Sequence, residues 1–298
     1  MRNEYGILTD PTMTTVLKNN IEQESLSVRI TGSTAAPTIP IVPIYEDYLT
    51  GTPMESLINR EAEKIHQSLS NVPELPVLSL EEARKHILLT VINKAQNEKL
   101  LSDVPHFDIC DGELSAIPRW FISDEASFIV RNSIAAHIGL TPDEVLRIGQ
   151  DNINRETFET VGIGELLSAM MGAELDEEMD MPAPMIVMTS ANHIQGARAL
   201  LSEEAMNRVH DMIGDFIVIP SSIQEVICIP RSAVNADDIR EMVHEVNITQ
   251  VALEDRLSDN IFEYDGHSLS LIKEDLKMTA EIKDELIPEL IVSQRISM

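Results

Sequence analysis

Residues 215–251 constrain this chain more than any other stretch. They read Phe216-Ile217-Val218-Ile219, then a Pro220-Ser221-Ser222 corner, then a second apolar run through Val226 and Cys228, then a segment ending Val246-Asn247-Ile248-Thr249-Gln250-Val251. Two short apolar runs around a Pro-Ser-Ser corner predict a strand, a tight turn, a strand and a helix. The fold class expected is α+β, or mixed α/β, built from short strands and capped helices.

Three capping boxes of the same form mark helix starts. Thr52-Pro53-Met54-Glu55 opens a helix to about Leu69, Ser79-Leu80-Glu81-Glu82 opens another, and Thr141-Pro142-Asp143-Glu144 opens a third to about Asn152. In the second, Ile87, Leu88, Val91 and Ile92 follow helical spacing, so the helix is predicted to run to about Leu101. Leu26–Ile30, Phe107–Cys110, Ser115–Ile122, Ser127–Val130 and Met185–Met188 read as strands, and Pro37–Ile44, with three prolines, as an irregular extended run. Helices are expected over Gln195–Leu201, from the N-cap Ser202 to Ile213 ahead of Gly214, and over Ala236–Val246. Asn260–Tyr264 and Ser268–Ile272 flank an Asp265-Gly266 turn.

Four segments follow from this. Residues 1–24 are polar and weakly patterned, 25–171 form an N-terminal αβ part, 172–184 an acidic, proline-containing linker, and 185–298 a C-terminal αβ part. Strand–helix–turn–helix units starting at Phe128 and Met185 hint at a duplication about 60 residues apart.

The formal net charge is −28, from 50 acidic and 22 basic residues. That balance argues against a nucleic-acid-binding surface and against anionic membranes, because both need clustered Lys and Arg. It permits a basic protein partner, divalent cations, or mimicry of nucleic-acid charge, and it also serves plain solubility. Aromatics are only 4% and methionines number 14, so the core is aliphatic and adaptable. Cys110 and Cys228 provide no disulfide framework and no cysteine-rich zinc site. The first residues hold no secretory h-region and no long apolar run occurs, so a cytoplasmic protein is expected.

Ser221, Ser222 and Glu225 invite a catalytic reading: a serine nucleophile at a strand corner, a glutamate, and a histidine from elsewhere, with His244 and His193 the ones to inspect. The plainer alternative has the hydroxyls bonding turn backbone. No nucleophile elbow is present. Glu63 with His66 and Glu241 with His244 have the i,i+3 spacing of di-metal carboxylate bundles, but surface ion pairs explain such spacing as well. Gly162-Ile163-Gly164 lacks the rest of a dinucleotide fingerprint, and the acidic run Glu174–Asp180 lacks the glycine and ligand spacing of a calcium loop. No metal and no cofactor is therefore expected.

Several segments together resemble a bacterial protein family of unknown function, common in gut clostridia and often borne on mobile elements. They are Pro37-Thr38-Ile39-Pro40 with Tyr45–Tyr48, Ile92-Asn93-Lys94 through Pro105-His106, Gly196–Leu201, Pro220–Val226, and Glu241 through Val251 to Tyr264. The resemblance covers the chain from about Val16 and implies an α+β protein with no established activity. The family's Pro-Ser-Ser-Ile-His-Glu-Val signature has Gln224 here in place of its histidine, so the resemblance does not carry over any family chemistry that needs an imidazole there. Taken with the charge, the leading expectation is a non-enzymatic acidic interaction protein, in its sharper form a nucleic-acid mimic acting on a host defence protein. The alternative is a hydrolase-type enzyme at the Ser221/Ser222/Glu225 corner. A structural subunit exposing a large apolar patch is a third reading.

Overall fold

A computed structural model describes residues 9–30, 37–70, 77–123, 126–162 and 185–273. It confirms a mixed α+β architecture of antiparallel sheets and helices. The chain divides into two compact units, Met1–Val77 and Leu78–Met298. The proposed linker at 172–184 and the acidic run within it lie outside the described residues.

In the first unit β1 (Thr9–Lys18) and β2 (Ile21–Ile30) form an antiparallel hairpin, with β3 (Thr38–Pro40) beside β2. The polar N-terminal stretch thus holds a ten-residue strand. Its threonines and valine suit a half-exposed pleated ribbon, and Asn20, at φ 62°, supplies the left-handed turn residue. Helices α1 (Ile41–Leu49) and α2 (Met54–Ser70) follow. The extended run expected through Ile44 stops at Pro40, because Pro43 falls in the first turn of α1, where its missing N–H costs nothing.

In the second unit Ser79 caps α3 (Leu80–His86), but the helix ends there and β4 (Ile87–Asn93) takes over. The run Ile87-Leu88-Leu89-Thr90-Val91-Ile92 is almost wholly buried. A strand covered on both faces shows no alternation, and its apolar positions match helical spacing equally well. After a short helix α4 (Glu98–Leu101), β4 pairs with β6 (Leu114–Phe121). The other edge of β6 carries β5 (Phe107–Ile109) and β7 (Ser127–Ile129). Helices α5 (Asn132–His137) and α6 (Pro142–Ile153) come next.

The Thr141 box at the head of α6 is complete. Glu144 N–H donates to Thr141 Oγ1 at 3.3 Å, and Thr141 N–H donates to Glu144 Oε2 at 2.9 Å. Thr141→Ala should cost about 1 kcal/mol. Differential scanning calorimetry should then show a Tm lower by roughly 2–4 °C, and an unchanged Tm would mean that the box is not holding the helix.

The larger sheet has six antiparallel strands. To β8 (Phe158–Gly162), β9 (Ile186–Ser190), β10 (Phe216–Ile219) and β11 (Glu225–Pro230) it adds β12 (Phe262–Tyr264) and β13 (Leu269–Leu271), in the order β13-β12-β10-β11-β9-β8. Helix α7 (Glu203–Ile213) is capped by Ser202 and closed by Gly214 at φ 71°. Helix α8 (Ala236–Thr249) is capped by Asn235. Alternate residues of β10 and β11 face two cores. Phe216, Val218, Val226 and Cys228 pack with Met206 and Val209 of α7 and with Leu89 and Val91 of β4. Ile217, Ile219, Ile227 and Ile229 pack with Ile239 and Val243 of α8. The first of these cores therefore contains residues from both sides of the undescribed 163–184 segment.

Candidate functional site

The chemistry-bearing residues gather where β9 and β11 end and two loops meet. Across the sheet Glu225 of β11 is paired with Thr189 of β9, and Thr189 with Glu159 of β8. Cross-strand partners point to the same face, so the two carboxylates flank Thr189 in one row, their backbones two strand spacings or about 10 Å apart across the sheet. His193, in the loop after β9, lies over this row. Its Nε2 is 3.9 Å from Glu159 Oε2, and it is close enough to Glu225 to act on it electrostatically.

Glu225 has no cation bonded to it among the described residues. Burial pushes its carboxyl pKa up, and His193 opposes that shift only in part. Asp255 is also raised by burial, with the Gln224 hydrogen bond acting against it.

The loop backbone is strained at the same place. His193 and Gln195 have φ of 56° and 55°, in the left-handed region that non-glycine residues avoid. Local bonds hold the conformation: Ser190 Oγ donates to Ile194 C=O at 3.0 Å, and His193 N–H donates to Ser190 C=O at 2.9 Å. Gly196 follows, and only glycine fits, because a Cβ there would sit 2.3 Å from Gln224 C=O and 2.7 Å from Ser190 N.

Gln224 ties the corner together. Its Oε1 accepts from Gln195 N–H at 2.9 Å, its Nε2 donates to Asp255 Oδ1 at 3.4 Å, and its C=O accepts from Thr189 Oγ1 at 2.9 Å. Thr90 Oγ1 of β4 donates to Gln195 Oε1 at 2.7 Å, joining the smaller sheet to the corner. Below the loop Arg198, 3% exposed, is clamped bidentately by Glu156 and also donates to Ile194 C=O and Gln195 C=O.

The other residues named from sequence sit as follows. Ser222 is buried and its Oγ accepts Gln224 N–H at 3.0 Å, a serine turn, while Ser221 C=O accepts Leu257 N–H at 3.1 Å. Residues 220–222 run antiparallel to 256–258, bridged at Ser222 and Arg256. His244 meets the segment that follows: its Nδ1 bonds Asp259 Oδ2 at 2.7 Å, and Asp259 Oδ1 accepts from Asn247 Nδ2 at 2.7 Å. The structure thus brings Glu225 to His193 and gives His244 to Asp259. Cys110 and Cys228 are buried, with the Cys110 thiol pushed up to about 12, so neither is a ready thiolate.

Glu159, Thr189, Gln195 and Asp255 were not singled out from sequence. Glu159 lies on a strand whose pattern, Phe-Glu-Thr-Val-Gly, is too short to stand out, and Asp255 reaches the corner only through tertiary contact. Among the described residues no group of three or more His, Cys, Asp or Glu is placed to hold a metal ion. No described helix is long and apolar enough to cross a membrane.

The strained loop, the Gly196 contact and the Pro220–Val226 turn all lie within a match spanning residues 3–266 to the family of unknown function DUF5688. The chain belongs to that family. Comparison with curated proteins and with solved structures gives no match. Family membership therefore carries no activity to this chain, and the geometry of the corner has to speak for itself.

Proposed function

We propose that the chain is a hydrolase-type acid–base enzyme whose centre is the row Glu159–Thr189–Glu225 under His193. The observation that carries this is Glu225: a carboxyl made hard to ionise by burial, bonded to no cation, beside an exposed imidazole on a strained loop. Paired titratable groups with different environments divide the roles of acid and base. Glu225, whose proton burial makes harder to lose, is the acid that gives a proton to a leaving group. His193, beside Glu159, is the base that takes a proton from water, whose oxygen adds to the electrophilic centre. Ser222 supports the turn that presents Glu225, and His244 is outside this set.

The test is turnover of ester, amide, phosphoester and glycoside chromogenic substrates by the whole chain. His193→Ala should lower the rate on any substrate cleaved by about 100-fold or more. Equal turnover by the variant would remove His193 from the chemistry and sink this assignment.

A second reading keeps the acidic interaction protein, including the sharper nucleic-acid mimic. It is favoured by one observation: the basic side chains Arg60, Lys85, Lys94, Arg131, Arg208 and Arg240 are each held in an ion pair within the chain. Meanwhile Asp238, Glu241 and Glu245 stand exposed at i, i+3 and i+7 on α8. A partner recognised through that stripe is basic, and its capture should fall away between low and high salt. Salt-insensitive capture would count against the mimic.

A further inference from the structure

We infer that Arg119 forms the floor of a binding site for the carboxylate group of a small ligand. Arg119 lies mid-strand in β6, opposite Leu88 of β4 on one side and Ile129 of β7 on the other. Its Nη1 donates to Ser127 Oγ at 2.8 Å, while its Nε is buried with no partner. Among the described residues no carboxylate is paired with it, although the chain has 50 acidic side chains to 22 basic ones. The contrast with Arg198 is direct. That guanidinium lies 5.4 Å from the ring centre of Phe121, two residues along from Arg119, and it is fully compensated by Glu156.

A guanidinium does not give up its proton at working pH, so the half-buried Arg119 stays charged, with its Nε shut off from water and no counter-charge among the described residues. Burial does pull the Arg119 pKa down, with no neighbouring charge acting on it. One uncompensated positive charge calls for one negative charge. A planar carboxylate matches the guanidinium fork in both charge and shape. A phosphate dianion overcompensates a single arginine and meets the repulsion of a −28 chain. Half-buried Leu88, opposite Arg119, and Phe121, two residues along the strand, share its sheet face and supply apolar surface for the body of such a ligand. The next row on the same sheet face, Thr90 opposite Ile117, is the one tied to Gln195, but the inference does not rest on the acid–base assignment.

The test compares thermal unfolding of the whole chain in sodium acetate, sodium benzoate, sodium phosphate and sodium chloride at equal ionic strength. It also follows the arginine Nε–H resonances by NMR. Acetate and benzoate should raise Tm by roughly 2 °C or more over chloride. One Nε–H resonance, missing in Arg119→Met, should move on titration. Arg119→Met places an apolar chain of similar length there, so it should match or exceed the wild-type Tm in chloride while losing the carboxylate response. A Tm lowered in chloride makes Arg119 a structural residue and overturns the site. So does a carboxylate response that is absent, or that survives in Arg119→Met. A response to phosphate but not to acetate overturns the ligand class. If Arg119→Met fails to fold, Arg119→Lys supplies the resonance assignment, and the wild-type titration decides: no movement of that resonance overturns the proposal.

Discussion

Gly196→Ala should lower the Tm of the second unit by roughly 6–12 °C, the response to about 3 kcal/mol in a unit of this size. The added Cβ would stand 2.2 Å from Thr189 Oγ1, 2.3 Å from Gln224 C=O and 2.7 Å from Ser190 N. Two of those three atoms are backbone, so no rotamer change relieves the contact. The strand end and the Pro220–Val226 turn would have to move apart, breaking the Thr189–Gln224 and Gln195–Gln224 bonds that close the corner. Two other glycines calibrate the expectation. At Gly149 a Cβ meets the Leu89 side chain at 2.6 Å, which can yield at smaller cost. At Gly162 it meets nothing within 4 Å, so Gly162→Ala should leave Tm unchanged or slightly raised. Calorimetry of the three variants should rank them 196, 149, 162 in order of loss. A Gly196→Ala protein as stable as Gly162→Ala would mean that the corner is loosely packed.

Local signals carried the sequence reading where structure is decided locally. The Thr141 box, the Ser202 cap with Gly214, and the two apolar runs around Pro220 all form as read, because each is settled within about ten residues. The reading failed where burial on two faces erases periodicity, as in β4, and where a polar ribbon gains its order from cross-strand pairing, as in β1 and the first half of β2, ahead of the Leu26–Ile30 stretch that does form as read. For the corner, sequence located Glu225 and named His193 only as a residue to inspect. It had no means of bringing in Glu159 or Asp255, which arrive through strand pairing and a loop 30 residues downstream. The left-handed residues His193 and Gln195 carry no mark in composition, since the preference for glycine is overridden there by tertiary bonds. Gln224, notable in sequence only as a replaced histidine, bridges Gln195 and Asp255 through its side chain.

Glu225→Gln should move activity and stability in opposite directions. If Glu225 is the proton donor, the amide cannot replace it, and the rate on any substrate the wild type cleaves should fall by about 100-fold to 10,000-fold. Stability should rise at neutral pH. In the folded chain burial holds the Glu225 proton to a higher pH than in the unfolded chain, where the carboxyl titrates near 4.3. Between that value and the raised folded one, the folded state binds more protons, so wild-type stability declines as pH rises through the window. Glutamine does not titrate and makes no such contribution. Asp255, raised in the same sense, remains in both proteins and cancels from the comparison. The two unfolding curves should therefore converge near pH 4 and separate above it, with Glu225→Gln the more stable at pH 7. Chemical denaturation across pH 4–8 gives that difference directly. A difference that stays flat with pH would show that the carboxyl is not held protonated, leaving the corner without its acid. A pH-dependent gain in stability with unchanged turnover would separate the buried carboxyl from catalysis and leave the acidic interaction reading as the stronger one.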